Sequence, residues 1–338
     1  MTTAASERGR AGAGTATMEA MRLVEPGRFE RAEVERPSPG PREALVRIEG
    51  CGVCGSNLDP WLGQAWQEYP LEAGAPGHEA WGVVEATGPA YAGPREGARV
   101  AILSERAFAE YDTVVASRMV ELPGALDGRP VPAEPLACAM NVMERSRVRA
   151  GDAAAVVGVG YLGALLVQMA DRAGATVVAL SRREASRETA ISMGAREAHG
   201  LDAAEDVAAA LEGERGRRFD VVIEAAGAQA ALDAASALVR ARGRLVIAGY
   251  HQDGPRTVNM QLWNWRGIDV INAHERDPKR YARGMRRAVE AMARGTLEPD
   301  ALHTHELPLS DLNEAMELLR DRPAGFVKAV VRPGTGGA

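Results

Sequence analysis

Ala153-Ala-Ala-Val-Val157, then Gly158-Val159-Gly160-Tyr161-Leu162-Gly163, an amphipathic run, Thr176-Val-Val-Ala-Leu180 and Ser181-Arg182-Arg183 form the stretch that decides the fold. The first five residues suit a buried strand. After the glycines, apolar side chains fall at Leu162, Leu165, Leu166 and Met169, a helical spacing, and Gly174 closes that helix. Strand, glycine turn, helix and second strand make the unit that binds a dinucleotide. Gly158 permits the tight turn, Gly160 lets the backbone approach a pyrophosphate, and Gly163 lets helix and strand pack closely. The helix N-terminus, at Tyr161 and Leu162, then offers free N–H groups to the phosphates. A glycine motif alone is weak, since ordinary turns carry glycine too. Here the flanking elements agree with it.

Outward from this unit, strands and helices continue to alternate. Phe219–Glu224, Arg244–Gly249 and Ile268–Asn272 read as strands, and Ala230–Val239 as a helix. That pattern implies an α/β fold with a doubly wound parallel sheet. Upstream, Ala44–Ile48 is a further strand, and the Pro-rich run 37–41 is a loop. Residues 1–17 are rich in Ala, Gly and Thr without an apolar core, so they read as a disordered leader.

The chain of 338 residues is long enough for two domains, and with 4% aromatics its core must rely on Ala, Val and Leu. The net charge of −6 disfavours a nucleic-acid binder, and no apolar run reaches membrane-spanning length. Both point to a soluble protein with small-molecule partners. Its three cysteines, Cys51, Cys54 and Cys138, make no disulfide framework and fit a reducing, cytoplasmic setting.

A second constellation precedes the glycine turn. It comprises Cys51-Gly52-Val53-Cys54-Gly55-Ser56-Asn57-Leu58-Asp59, Gly77-His78-Glu79, and Glu134-Pro135-Leu136 with Cys138. Thiolate, imidazole and carboxylate are suitable zinc ligands, and three of them leave a position open for catalysis. Taken singly, Cys54 reads as a small buried hydrophobe, His78 as a loop residue and Glu134 as a helix cap. Taken together, ahead of a dinucleotide fold, they read as a metal site.

On these motifs the chain resembles the zinc-dependent alcohol dehydrogenases, the medium-chain dehydrogenase/reductases, over about residues 18–333. It is similar in motif to polyol- and sorbitol-type members. The resemblance implies a discontinuous GroES-like β-barrel catalytic domain, 18–141 with 276–333, interrupted by a Rossmann domain, 142–275. It implies zinc ligands at Cys54, His78 and Glu134, with Glu79 able to approach the metal. It also implies a proton relay from Ser56 toward Asp59 or solvent. The cysteine cluster that holds a structural zinc in other members has no counterpart after Gly97-Ala98-Arg99-Val100, so one catalytic zinc is expected. Asn57, a weaker acceptor for the zinc-bound histidine, stands where the family usually has aspartate.

The implied activity is hydride transfer between NADP(H) and a secondary alcohol or ketone of a polyol, sugar or cyclitol. Trp61, Trp66, Glu68, Tyr69, the His251-Gln252-Asp253 loop, Trp263 and Trp265 are candidates to shape the substrate cleft. The cofactor preference rests on the end of the second strand, roughly twenty residues past the glycines, where NAD binders keep a carboxylate. Ser181 is there instead, followed by Arg182 and Arg183, which suit a 2′-phosphate; NAD(H) use remains compatible. Alternatives are a metal-free quinone or enone reductase of the same superfamily and a non-catalytic NADP(H)-binding sensor. By resemblance the chain forms a homodimer or homotetramer through the strand 268–272.

Overall fold

The structure, a computed structural model, describes residues 16–334. Most of the expected leader lies outside these residues, and its last residue, Thr17, already opens strand β1. That strand, Thr17–Glu25, pairs antiparallel with β2, Arg28–Glu35. Strand β3, Glu43–Gly52, is followed by a short helix α1, Leu58–Leu62, and by β4, Glu79–Thr87. Then come β5 (Arg99–Leu103), β6 (Tyr111–Val115), β7 (Met119–Glu121) and helix α2 (Ala133–Ser146). β3 is the centre of this half, pairing antiparallel with both β4 and β6.

The dinucleotide unit follows as β8 (Ala153–Val157), α3 (Tyr161–Arg172) and β9 (Thr176–Leu180). All five residues of β8 are buried, because helices cover both faces of the sheet. Each fully buried valine there contributes on the order of 2 kcal/mol. Continuing along the chain are α4 (Glu184–Ser192), β10 (Glu197–His199), α5 (Ala204–Arg215), β11 (Phe219–Glu224), α6 (Gln229–Leu238), β12 (Val239–Ile247), α7 (Met260–Arg266) and β13 (Asp269–Asn272). The six strands run parallel in the order β10-β9-β8-β11-β12-β13. Numbered from β8, that order is 3-2-1-4-5-6, the doubly wound dinucleotide topology, with its switch point between β8 and β11.

The chain then returns to the first half. Helix α8 (Pro278–Ala293) packs on α2, burying Ala282, Met285, Val289 and Met292. Strand β14 (His303–Pro308) pairs with β15 (Lys328–Arg332), and β15 pairs with β3. Between them, α9 (Leu312–Asp321) buries Leu312, Ala315, Met316 and Leu319, one stripe at i, i+3, i+4 and i+7. The seven-stranded sheet is therefore closed by strands from both ends of the chain, as a discontinuous GroES-like domain requires. Among the described residues, no helix is long and apolar enough to cross a membrane.

Candidate metal and cofactor site

Two residues past the end of β3, the chain enters a single 3-10 turn, Gly55–Asn57. Buried Asn57 holds this turn: its Oδ1 accepts the Cys54 N–H at 2.8 Å, and its Nδ2 donates to the Pro76 carbonyl at 3.0 Å. The same carbonyl lies 2.9 Å from His78 Nδ1. A carbonyl only accepts, so Nδ1 carries the proton and Nε2 faces the site. The histidine is thus oriented by backbone, not by the residue 57 side chain. Asn57 spends its acceptor oxygen on Cys54, which is why an amide serves at this position.

Cys54 Sγ, a ring nitrogen of His78 and an oxygen of Glu79 lie within 4.8 Å of one another. Tetrahedral zinc with bonds of about 2.0–2.3 Å needs neighbouring donors on the order of 3.5 Å apart, so small side-chain adjustments suffice. Burial alone lowers the His78 pKa, but the Cys54 thiolate, with Glu134 and Glu79, outweighs it and holds it up to about 10. The pocket is therefore anionic, and a proton and a metal ion compete for it. Soft sulfur, imidazole and carboxylate donors fit zinc.

Glu79 is fully buried and meets Lys328, itself 4% exposed. Lys328 Nζ lies 2.6 Å from Oε1 and 2.5 Å from Oε2, with hydrogen-bond geometry only at Oε1. Glu79 Oε2 has no hydrogen-bond partner among the described residues beyond this ion pair, and one of the two oxygens lies beside Cys54 and His78. Glu134, in the first turn of α2, stands outside this group. Its Oε1 accepts the Tyr281 O–H at 2.9 Å, and Cys138 Sγ is 3.6 Å away. Burial pushes the Glu134 carboxyl and the Cys138 thiol up. The expected trio of Cys54, His78 and Glu134 thus differs from the trio the fold brings closest, because α8 and Cys138 hold Glu134 to one side. Ser56 Oγ is 3.5 Å from His78 Nε2, and Asp59 is half-buried in the first turn of α1. The Tyr250 hydroxyl is held above the ordinary tyrosine value by burial and by the charges of Asp59 and Cys54.

The cofactor half is built by glycine. Gly158 has φ +96, and a Cβ there would meet that of Ala226 at 2.6 Å. A Cβ on Gly163 would meet the Gly158 carbonyl oxygen at 2.0 Å, so the helix reaches the strand only without a side chain. Beside Gly160 the space is open. Tyr161, Leu162 and Gly163 open α3, where backbone N–H groups have no intrahelical acceptor. The Tyr161 ring packs toward the barrel domain. It is buried, with its hydroxyl 2.9 Å from His303 Nε2 on β14 and the Lys328 ammonium 4.9 Å from its ring. At the end of β9, Ser181 is buried and its N–H donates to His199 O at 2.9 Å. Arg187 donates to the carbonyls of Ser181 and Arg182, bracing the loop. Arg182 is exposed, Arg183 is the N-cap of α4, and Glu184 is that helix's exposed first residue.

This geometry agrees with what the chain resembles among known proteins. The family model for the alcohol dehydrogenase GroES-like domain matches residues 40–124, and that for zinc-binding dehydrogenase matches 162–290. A protein of Sinorhizobium meliloti 1021, described as a zinc-binding dehydrogenase and solved bound to NADP, is 31% identical. The match covers 94% of this chain and 100% of that one, with a TM-score of 0.80. The chain belongs to the zinc-binding alcohol dehydrogenase family. Two further relatives of this dehydrogenase act on sugar acids by name. L-Galactonate-5-dehydrogenase of Escherichia coli K12 is 26% identical over 89% of this chain and 95% of its own. 2-Dehydro-3-deoxy-L-galactonate 5-dehydrogenase of Pseudoalteromonas atlantica is 24% identical over 90% and 95%.

Several residues expected to line the dehydrogenase's substrate cleft are placed elsewhere. Trp61 is 3% exposed and packs in the barrel core under Arg320. Trp263 donates its indole N–H to Ser236 Oγ at 3.1 Å, and Trp66 and Trp265 stand in solvent. The Tyr69 hydroxyl is taken by the Pro60 carbonyl, while Glu68 is exposed. His251 Nε2 is 2.8 Å from buried Glu224 Oε2, and its Nδ1 accepts from Arg256 Nε at 2.9 Å. The other Glu224 oxygen accepts the N–H groups of Ala226 and Gly227. His251 therefore fastens the turn after β11, and Asp253 pairs with Arg256; only Gln252 keeps a free polar end. Sequence reasoning passed over Lys328 and Tyr281. A lysine at the head of the apolar strand Lys328–Arg332 was a visible signal for the first; nothing local marked the second.

Proposed function

We propose that this dehydrogenase is a zinc-dependent oxidoreductase that prefers NADP(H) and acts on a secondary alcohol or ketone of a polyol, sugar or cyclitol. The observation that carries it is the convergence of Cys54, His78 and Glu79 in a chain that also carries the dinucleotide fold. Cys54 and His78 hold the zinc with one carboxylate, Glu79 or Glu134. Zinc supplies a Lewis acid at the substrate oxygen, and NADP(H) on the glycine turn supplies or accepts the hydride. Ser56 Oγ takes the hydroxyl proton and passes it toward Asp59 or solvent. Lys328 pairs with Glu79, and the buried surroundings exclude water. Ser181, Arg182 and Arg183 support the NADP(H) preference, as does the NADP bound to the Sinorhizobium relative. The galactonate dehydrogenases support a polar, hydroxyl-rich substrate.

The deciding experiment is metal analysis of purified wild type and Cys54→Ser. The wild type carries one zinc per chain. The variant loses zinc and turnover but keeps its circular dichroism, because the cofactor domain has its own core. A Cys54→Ser protein with both zinc and activity intact would falsify the ligand assignment. Glu79→Ala and Glu134→Ala measured in parallel identify which carboxylate binds the ion.

A further inference from the structure

Strand β11 ends on Glu224, a carboxylate with no exposed surface that follows the apolar run Val221–Ile223. Burying such a charge is costly unless hydrogen bonds satisfy it. Its side-chain partners all lie just beyond β11 or β12. Oε1 accepts the N–H groups of Ala226 at 2.8 Å and Gly227 at 2.7 Å, and Oε2 lies 2.8 Å from His251 Nε2. The far side of that imidazole fixes its tautomer. Arg256 Nε can only donate, so His251 Nδ1 accepts at 2.9 Å and the ring proton sits on Nε2, facing Glu224. Arg256 Nη2 in turn donates to the Gly227 carbonyl at 2.8 Å. Gly227 is thereby held at both ends, its N–H by Glu224 and its carbonyl by Arg256, with His251 linking the two holds. Its φ is +74, and a Cβ there would strike the Tyr250 carbonyl, so the turns after β11 and β12 pack backbone to backbone. The held segment lies at the switch point of the sheet. The Ala225 N–H donates to the Val157 carbonyl at 2.7 Å, and Ala226 is the residue that a side chain on Gly158 would meet. Ala225–Gly227 is therefore the wall beside the glycine turn, in the crevice where a doubly wound sheet takes its ligand.

We propose that His251 and Arg256 are positioning residues for the dinucleotide: with Glu224 they form a carboxylate–imidazole–guanidinium chain that sets the backbone Ala225–Gly227 against the glycine turn. They act through that turn, not by contact with the cofactor. This rests on the reading of Gly158–Gly163 as the dinucleotide site. Charge-assisted hydrogen bonds at both ends of the imidazole make the chain stiffer than neutral pairs would, so the wall is in place before the cofactor arrives.

The test is calorimetric titration of NADP+ and NAD+ into wild type, His251→Leu, His251→Gln, Arg256→Ala and Val222→Ala, with Tm measured on each. His251→Leu keeps an apolar bulk but breaks the chain, and is expected to weaken both nucleotides by about tenfold, about 1.4 kcal/mol. The two losses are equal because the turn is remote in sequence from Ser181–Arg183, where the two cofactors would be told apart. His251→Gln offers one donor and one acceptor and recovers most of the affinity. Arg256→Ala leaves Glu224 its three donors, so it folds even where His251→Leu does not; it weakens both nucleotides by about threefold, in keeping with one lost hydrogen bond. Val222→Ala, a cavity in the middle of the same strand, lowers Tm without changing either Kd. In steady-state kinetics the losses fall on KM for the cofactor, with kcat within about twofold of wild type, because the metal donors Cys54, His78 and Glu79 touch none of these groups. Unchanged Kd values in both His251→Leu and Arg256→Ala overturn the proposal. So does a loss that glutamine does not recover, or one that Val222→Ala reproduces at the same Tm. Wild type that binds neither nucleotide would overturn the dinucleotide reading itself, and this proposal with it.

Discussion

Replacing Lys328 with methionine tests the electrostatic support of the metal site. The side chain is nearly the same length, so packing changes little, but the ammonium is gone. Glu79 is then left with 0% exposure and without its ion-pair partner, in a pocket that also holds Cys54, Glu134 and His78. Removing one member of a buried ion pair costs about 3–5 kcal/mol, because the other charge stays desolvated. Urea unfolding of metal-free protein, followed by tryptophan fluorescence, should show that loss. Replacing both members, Glu79→Leu with Lys328→Met, removes the stranded charge and should restore stability to within about 2 kcal/mol of wild type. In zinc-loaded protein the single variant loses less, since the ion supplies positive charge beside Glu79. The pH dependence has a definite sign. Burial lowers the Lys328 pKa, but Glu79 and Cys54 outweigh it, so the folded value lies above the unfolded 10.5. The pair's contribution is complete below that unfolded value and is lost as pH rises through the folded one, well into the alkaline range. A metal-free Lys328→Met protein within about 1 kcal/mol of wild type would refute the reasoning. A double variant as unstable as the single would do the same.

Four further outcomes are expected. Arg182→Ala should cut kcat/KM with NADPH by at least about tenfold and leave NADH use nearly unchanged, about 1.4 kcal/mol of selective loss; equal losses would show that the loop is not read this way. Gly163→Ala should abolish cofactor affinity in a titration, because its Cβ would sit 2.0 Å from the Gly158 carbonyl oxygen and force the turn open. In a substrate screen polyols and sugar alcohols should outperform simple alkanols, and the reverse ranking would sink the polar-substrate reading. Light scattering should give an oligomer that Val270→Asp breaks, since β13 is an open sheet edge with Val270 42% and Trp265 90% exposed.

The dinucleotide unit could be read from the chain because its causes are local. Gly163 is needed by a contact five residues away, at the Gly158 carbonyl, and β8, Val177–Leu180 of β9 and Val221–Ile223 of β11 are continuous buried apolar runs. The observed β9 and β11 have the bounds the pattern predicts. Cys54 and His78 were legible as a pair for a similar reason: each lies in a short turn whose residue types are unusual for a loop. Elements with weak or mixed patterns were passed over, among them β10, α5, α7 and α8, although α8 does carry a stripe at Ala282, Met285, Val289 and Met292.

What only the tertiary structure decided is which charges meet. Lys328 and Glu79 are 249 residues apart in sequence, and Tyr281 and Glu134 are 147 apart. No periodicity or motif near either member shows the other, yet these contacts place the two carboxylates around the cysteine and histidine. The same holds for His251, which looked available for a substrate and is closed between Glu224 and Arg256. Backbone preference and burial pattern are short-range properties and are written in the local sequence. The pairing of buried polar groups is long-range and is set only when the two ends of the chain close the same sheet.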